Sequence, residues 1–422
     1  MAILCSIISY YHNINLSNVS SSVELNSYLT NLGISAKSGG AVSDLVTHWK
    51  YIELLRDDLS NLLKLELGKD FGLLNYPLHH IIFSQIPIIN SNIKTYLLFF
   101  FIISLFLPIL FYKCLKIRFG NIDKTNLFNL ASILYILPSF QYSAIWGSPH
   151  ITAIFFVLAS IYNFLKFQTS VDKNKKNLFY GLFFLTLASY TKQYYIFLFP
   201  FYLLILLEKL SVKELYKIFV FLIVLSIPGI FFLTKNPLLF IGYNTLDITN
   251  FPSSVLISIS IYFFYLLPIF LVYILSNQNS LNDFVKFFEN IYIIPILLFF
   301  IVATYFFFYA ETVGGGIILK FSNIFLGNNV IFFISAYLGT FIILFYVKDR
   351  KNLILCILMI SIFSTGFFVF QKYFEIMFFF LFYLFFNKEK IQISIEKNIY
   401  IISYFVIYYF SINLIYKTNY IY

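Results

Sequence analysis

Charge is what this chain has least of. Only 11% of its 422 residues are charged, whereas 60% are hydrophobic. Soluble globular domains carry about 25% charged residues, so the composition excludes an ordinary soluble protein and predicts an integral membrane protein. The net charge of +10 does not indicate a nucleic-acid partner, because the basic residues lie in short loops between apolar runs, as orientation in a membrane requires.

Paired cysteines and phosphate-binding glycine loops are also missing. The three cysteines, at positions 5, 114 and 356, lie in or beside apolar segments without pairing or metal-ligand spacing. They are expected to behave as small apolar residues. Glycines 314–316 follow no predicted strand and precede no phosphate-loop lysine, so they indicate a flexible turn. We therefore expect no nucleotide, no other cofactor and no metal ion.

Long apolar runs dominate the rest of the sequence. They predict an all-α polytopic membrane protein with about 12 to 13 transmembrane helices. Several runs are shorter than the roughly 20 residues that cross a bilayer, so tilted or broken helices are expected. The spans are predicted near residues 96–112, 127–145, 151–165, 178–190, 194–207, 218–233, 255–275, 291–309, 330–347, 353–370, 373–386 and 399–416.

This pattern divides the chain into three parts. Residues 1–12 resemble a truncated first transmembrane helix, and residues 13–93 form a large first loop with short interfacial helices. Residues 94–422 form the multi-helix transmembrane domain. Lysines and arginines fall on every second connection, which we place in the cytoplasm. The first loop then faces outward, towards the periplasm if the membrane is a bacterial inner membrane, and the polar clusters described next share that side.

Asp44 and His48 form the first of these clusters. They are four residues apart on a predicted helix, so both side chains lie on one helix face. A carboxylate beside an imidazole can accept a proton from a hydroxyl group. The alternative is a helix N-cap and a solvated histidine on an interfacial helix.

Tyr76, His79 and His80 surround Pro77, which favours an extended backbone at Tyr76 and the start of a helix after it. Adjacent histidines on a helix point about 100° apart, so they do not favour a shared metal ion. We prefer the interpretation that one histidine faces a phosphate and the other has a structural role.

Three further clusters lie at connections on the same side. Trp146 and His150 flank a Gly-Ser-Pro turn, where Trp146 is equally typical of an interfacial aromatic. Lys192 and Gln193 lie between two apolar runs, where an ammonium group suits an anionic headgroup or snorkels to ordinary lipid phosphate. The last cluster, Lys372, Tyr373 and Glu375, interrupts an apolar stretch, and its two charges either pair with each other or face a ligand.

Taken in order, these motifs resemble the GT-C superfamily of polytopic glycosyltransferases. The resemblance covers most of the chain and rests on motifs that are each degenerate. They are the early acidic residue of the outer loop, a Tyr-Pro-Leu element, a Trp-Gly turn, a Lys-Gln pair and a late basic-Tyr element: Asp44, Tyr76-Pro77-Leu78, Trp146-Gly147, Lys192-Gln193 and Gln371-Lys372-Tyr373. The Trp-Gly turn continues as Ser-Pro-His, where related proteins often carry glutamine and an acidic residue.

The resemblance implies an inverting transfer of a sugar from a polyprenyl-phosphate donor to an acceptor hydroxyl of a glycan, lipid or protein. Asp44 would be the general base, with His48 beside it. Lys192, Lys372, His79 and His80 would bind the donor phosphate, and the sugar or acceptor would contact a pocket of six residues: Tyr76, Trp146, His150, Gln193, Tyr373 and Glu375. Membrane lipids would surround the helices.

Two other classes stay open. A transporter or flippase of a lipid-linked sugar or anion is expected to carry charges near mid-membrane and a two-half repeat. Here the middle of most runs is apolar and no repeat is visible. A non-catalytic membrane protein would not depend on Asp44.

Overall fold

The structure is a computed structural model that describes residues 19, 21–31, 41–64, 76–170, 175–235, 251–276, 278–290, 293–307, 315–364, 369 and 371–419. Every regular element in these ranges is a helix, so the predicted all-α class is confirmed. Residues 1–12, predicted to be a truncated first helix, lie outside the described part of the chain.

Short helices occupy the predicted first loop. These are α1 Ser22–Asn31, α2 Ala41–Asp57, α3 Asn61–Lys64, α4 Leu78–Ser84 and α5 Pro87–Asn90. The helices of the following half are α6 Ile93–Arg118, α7 Lys124–Ser132, α8 Pro138–Ile145, α9 Pro149–Thr169, α10 Lys175–Ser189, α11 Leu198–Lys209, α12 Val212–Lys235 and α13 Phe251–Ser276. The remaining helices are α14 Gln278–Asn290, α15 Ile293–Tyr305, α16 Gly316–Leu326, α17 Val330–Tyr346, α18 Arg350–Ser364, α19 Gln371–Phe385, α20 Lys388–Glu396 and α21 Asn398–Asn419.

Four of the described helices are long and apolar enough to cross a membrane. They are α6, α9, α12 and α13, with 21 to 26 residues each, and a crossing takes roughly 20 residues. These helices indicate a membrane protein. Others among the predicted spans form shorter apolar helices, such as α17 with 17 residues, so the count of about 12 to 13 crossings stays a prediction.

The span expected at residues 127–145 is broken into three pieces. Helix α7 runs into a 3-10 turn at Ile133–Ile136, and α8 begins afterwards at Pro138. Leu137 separates them with φ −74° and ψ 120°, the extended conformation that a following proline favours. The break makes α8 a separate helix of eight residues, which ends at Ile145 and is followed by Trp146 and Gly147.

At one end of the bundle, which the sequence predicts to be cytoplasmic, side chains bind the last carbonyls of α19. The Arg118 guanidinium donates to the carbonyl oxygens of Leu384 and Phe386, and Asn352 Nδ2 donates to that of Phe385 at 2.9 Å. The last carbonyls of a helix have no partner within the helix itself. Capping by Arg118 and Asn352 therefore fastens α19 to α6 and α18.

Tyr190, just after α10, inserts its hydroxyl into the backbone of α12. Pro228 has no N–H to donate, which weakens the helical ladder at this point. The Gly229 amide donates to the Tyr190 hydroxyl at 3.0 Å, and that hydroxyl donates to the Leu225 carbonyl. A Cβ at Gly229 would lie 2.5 Å from Tyr190 Cε1. This close contact fixes the turn that leads from α10 to Lys192.

Candidate functional site

Three buried histidines meet where α2 packs against α4. His48 Nδ1 lies 3.0 Å from His80 Nε2. The ring centroid of His79 is 5.0 Å from that of His80 and 6.2 Å from that of His48. We call these three residues the histidine cluster.

The sequence of α2 explains how His48 enters this position. Leu45, Trp49 and Ile52 recur at helical spacing and are fully buried, so they form the face that packs inward. His48 precedes Trp49 and lies at the edge of that face, where it is 3% exposed. Asp44 lies one turn before His48 on α2, as their four-residue spacing predicts, and its side chain is half-buried.

Both histidines of α4 are enclosed, although they point in different directions. The Tyr51 ring lies 4.5 Å from the His80 ring, and the Phe100 ring lies 5.3 Å from the His79 ring. Helix α4 is therefore covered by α2 on one side and α6 on another, which removes both imidazoles from water.

The hydrogen bonds of His79 define its protonation. The Tyr96 hydroxyl donates its one proton to the Gly147 carbonyl at 2.6 Å, so its oxygen accepts from His79 Nε2–H at 2.9 Å. His79 Nδ1 lies 3.0 Å from Thr152 Oγ1 and accepts the Thr152 proton. The neutral Nε2–H tautomer satisfies all of these groups. His79 thus joins α4, α6 and α9, which is a structural role.

His48 and His80 share one hydrogen bond, so one imidazole donates and the other accepts. Burial lowers the pKa of His48 well below 6.5, and the neighbouring charges of His80 and Lys192 lower it further. Burial, followed by the charge of Lys192, lowers the pKa of His80 to about 3. Burial is also the main cause of the lowered pKa of His79. At neutral pH the histidine cluster is therefore uncharged.

Lys192 and His150 lie close enough for their charges to act on His48. The Lys192 amide donates to the Ala188 carbonyl at 2.8 Å, and its side chain is only 7% exposed. His150 begins α9, and its Nδ1 lies 2.8 Å from the Tyr194 hydroxyl. Gln193 opens the 3-10 turn Gln193–Phe197 beside them. An ammonium group beside neutral imidazoles makes this region suitable for an anion.

Two other predicted pocket residues, Trp146 and Tyr76, lie in different surroundings. Trp146 directly follows α8 and is 7% exposed, next to the Gly147 whose carbonyl binds Tyr96. Tyr76 packs instead on α12, with its ring 5.8 Å from that of Phe232 and its hydroxyl 3.4 Å from the Gly229 oxygen. Tyr76 therefore supports the turn before Lys192 by packing beside Tyr190.

Glu375 belongs to a second polar site among the helices. It is fully buried and accepts from the Tyr265 hydroxyl and the Ser139 amide, each at 2.8 Å. The side chains of Lys372 and Tyr373 lie outside what the structure describes. The predicted late cluster thus contributes a carboxylate that contacts α8 and α13.

Several buried nitrogens around the histidine cluster lack a hydrogen-bond partner within the described part of the chain. They are His80 Nδ1, Trp49 Nε1 and Trp146 Nε1. Leaving a buried polar group unpaired costs about 1–3 kcal/mol. Such groups are rare in folded proteins and concentrate where a site serves a purpose other than stability.

Sequence reasoning missed the two residues that bind the His79 side chain, Tyr96 and Thr152. Tyr96 lies inside an apolar run, and Thr152 lies in the first turns of α9. No spacing rule links either one to residues 79 and 80. Among the described residues, no group of three or more histidine, cysteine, aspartate or glutamate side chains is arranged to hold a metal ion.

Comparisons with known protein families, with curated proteins and with solved structures found no match to this chain.

Proposed function

We propose that this chain is an integral-membrane glycosyltransferase of the GT-C kind. It moves a sugar from a polyprenyl-phosphate donor to an acceptor hydroxyl at the extracytoplasmic face, with inversion at the anomeric carbon. One observation carries the proposal. A buried ammonium group, Lys192, lies beside neutral histidines from α2 and α4, in a chain whose long apolar helices suit a lipid-linked substrate.

Lys192 binds the phosphate of the donor. When the bond between the anomeric carbon and the phosphate oxygen breaks, negative charge grows on that phosphate. A preorganised cation away from bulk water stabilises such charge, an effect worth about 10²–10³ in rate. The resemblance adds Lys372 to this role, and the first turn of α9 brings His150 to the same region.

Asp44 removes the proton from the acceptor. The acceptor oxygen attacks the anomeric carbon on the face opposite the phosphate and forms the new glycosidic bond. The polyprenyl phosphate departs with the bonding electron pair, and the acceptor proton passes to the Asp44 carboxylate. The half-buried position of Asp44, one turn before His48 on α2, supports this role.

The histidine cluster contributes hydrogen bonds without adding charge. Because burial keeps His48 and His80 neutral, they add no positive charge to the region of Lys192. His80 Nδ1 and the indole nitrogens of Trp49 and Trp146 lack partners within the described residues, and sugar hydroxyls carry both donors and acceptors. We therefore assign these groups to the sugar, while His79 holds the surrounding helices.

The apolar chain of the donor would lie along the helices. Helix α12 exposes a row of large apolar side chains, among them Ile223, Ile227 and Ile230. Only 17% of its most apolar window is buried within the protein. Hydrocarbon, whether of membrane lipid or of a polyprenyl tail, is the environment that such a surface requires.

A transporter or flippase of a lipid-linked sugar or anion is the second candidate. The buried Glu375 favours it, since ionisable residues among apolar helices are typical of substrate or proton pathways. The partners of Glu375 are hydroxyl groups and a backbone amide. Such partners suit a fixed carboxylate, and for this reason we prefer the transferase.

The test is transfer of a labelled sugar from a panel of polyprenyl-phosphate sugars in membranes that contain the protein. We expect transfer by the wild type and loss in Asp44→Asn and in Lys192→Met. Lys235→Met is the matched control, because Lys235 is an exposed lysine at the end of α12. Movement of the intact lipid-linked sugar between leaflets, without any transfer, would overturn the proposal in favour of the transporter.

A further inference from the structure

Glu375 and Gln371 form a closed ring of hydrogen bonds with two tyrosines. Gln371 Nε2 donates to the Tyr265 oxygen at 2.8 Å and to the Tyr408 oxygen at 3.0 Å. Both tyrosine hydroxyls donate to Glu375 Oε2, at 2.8 Å and 3.4 Å. Glu375 Oε1 accepts from the Ser139 amide at 2.8 Å.

The geometry gives each of these hydrogen bonds a consistent donor and acceptor. Each tyrosine oxygen accepts from Gln371, and its single proton points to Glu375. The Ser139 amide is also a donor, so all of these partners of Glu375 present hydrogens to it. A carboxylate accepts from each of these donors and completes the ring.

The carboxylate holds the beginning of α8. Pro138 is the first residue of this helix and Ser139 is the second, so Glu375 binds an amide that has no partner within the helix. Negative charge at a helix N-terminus is stabilising. This cap comes from a residue 236 positions away in the sequence, on a different helix.

The other end of α8 reaches the histidine cluster. A helix of eight residues is about 12 Å long, and this one ends with the Trp146 amide donating to the Tyr142 carbonyl at 3.1 Å. Gly147 follows Trp146 in the chain. Its carbonyl accepts from the Tyr96 hydroxyl, whose oxygen accepts in turn from His79. Glu375 and His79 are therefore connected through α8.

We infer that Glu375 is a positioning residue whose carboxylate fixes the start of α8 and thereby sets the Trp146–Gly147 turn against the histidine cluster. The sequence prediction that Glu375 lines the substrate pocket stays a prediction, and the hydrogen bonds described here join Glu375 to the start of α8. Its effect on catalysis rests on the proposed glycosyltransferase function. Its effect on the position of Trp146 does not.

The chain has two tryptophans, at positions 49 and 146, so Trp49→Phe leaves Trp146 as the sole indole. In that background, Glu375→Leu is expected to shift Trp146 emission to the red and to increase its quenching by acrylamide. Glu375→Gln keeps one carbonyl oxygen for the Ser139 amide and is expected to give a smaller change. Tyr404→Phe is the control, because the Tyr404 hydroxyl binds the Phe264 carbonyl of α13.

Transfer kinetics supply the second measurement. Because a displacement of about 1 Å at a reacting centre lowers rate by about 10²-fold, we expect kcat to fall by about that factor in Glu375→Leu while the donor KM changes little. In Glu375→Gln, compared with Glu375→Leu, we expect both kcat and the Trp146 emission to return towards the wild-type values.

Unchanged Trp146 emission and quenching in folded Glu375→Leu protein would overturn the inference. If Glu375→Leu does not fold, Trp146 emission and quenching are measured instead in Glu375→Gln and Tyr265→Phe. Unchanged emission and quenching in both of these variants would overturn the inference. If the wild type transfers no sugar, the proposed function fails, whereas a Trp146 shift in the Glu375 variants would still support the positioning role.

Discussion

The Tyr96 hydroxyl donates to the Gly147 carbonyl at 2.6 Å and accepts from His79 Nε2–H at 2.9 Å. One oxygen atom thus joins α6, the turn after α8 and the histidine cluster. Gly147 makes this possible because its φ of 60° lies in the left-handed region that favours glycine. The closeness of Tyr96 and Gly147 makes both positions sensitive to substitution.

Gly147→Ala should therefore be strongly destabilising. A Cβ at this position would lie 2.4 Å from Tyr96 Cε1, so the Tyr96 ring or the turn must move. Gly327→Ala is the matched control, since Gly327 has a φ of 62° and no atom within 4 Å of the added Cβ. We expect the control to lose about 1 kcal/mol, the cost of the left-handed backbone alone, and Gly147→Ala to lose more. Thermal unfolding in detergent measures both, and equal losses would contradict the close contact.

Acid should destabilise the fold through the histidine cluster. The pKa of His80 is about 3 in the folded protein and 6.5 when unperturbed, and the pKa of His48 is also well below 6.5. Below pH 6.5 the unfolded chain therefore binds protons that the folded chain does not, and stability falls as pH falls. His80 contributes a loss of about 2 kcal/mol at pH 5, and His48 adds to the loss in the same direction.

The measurement is the unfolding free energy between pH 7 and pH 5 for the wild type and for His80→Phe. We expect the variant to show a weaker dependence on pH, because one of the buried groups no longer titrates. An identical pH dependence in both proteins would show that other groups cause the effect.

Lys192→Met should lower the rate of sugar transfer by about 10²–10³-fold, because the leaving phosphate loses its cation. Lys192→Arg should retain part of the activity, since it keeps the charge but replaces a compact ammonium with a planar group. Lys235→Met should transfer at the wild-type rate. Full activity in Lys192→Met would remove Lys192 from the donor site.

Lys192→Met should also resist acid unfolding better than the wild type. The Lys192 charge lowers the pKa of His48, His79 and His80, so its removal should let these pKa values rise towards 6.5. The midpoint of acid unfolding should then move to lower pH in Lys192→Met. A midpoint that does not move would place the Lys192 ammonium further from the histidines than the structure has it.

Asp44→Asn should reduce transfer by about 10²–10⁴-fold while leaving folding intact, because an amide does not accept the acceptor's proton. Asp57→Asn is the control, as Asp57 ends the same helix, is exposed and forms a surface ion pair with Arg56 at 3.2 Å. Such pairs contribute about 0–1 kcal/mol. Normal transfer by Asp44→Asn, measured with the same donor and acceptor, would remove it as the base.

Sequence reasoning reached the features that depend on composition and short-range spacing. The scarcity of charge predicted apolar helices, and a separation of four residues placed Asp44 and His48 on one helix, as α2 has them. Pro77 correctly marked the start of the helix that carries His79 and His80. Each of these follows from backbone geometry within one or two turns.

Contacts between distant helices were beyond the same reasoning. Tyr96 lies in a run of apolar residues, where a single hydroxyl does not disturb hydropathy, so its bond to His79 leaves no local pattern. The interruption at Leu137 was hidden for the same reason, because residues 133–137 are as apolar as their neighbours. Glu375 was noticed as a charge, but its partner Ser139 lies on another helix and no spacing rule joins them.

The long separation between Ser139 and Glu375 also bears on how the protein is made. Chains emerge from the ribosome N-terminus first, so α8 is synthesised 236 residues before the carboxylate that caps it. Until α19 arrives, the start of α8 must satisfy its amides in another way. A chain that stops before α19 would leave the start of α8 without its carboxylate cap, even though every histidine of the cluster had already been synthesised. The N-terminal half of the protein therefore receives the cap of α8 only when the C-terminal part of the chain has joined it.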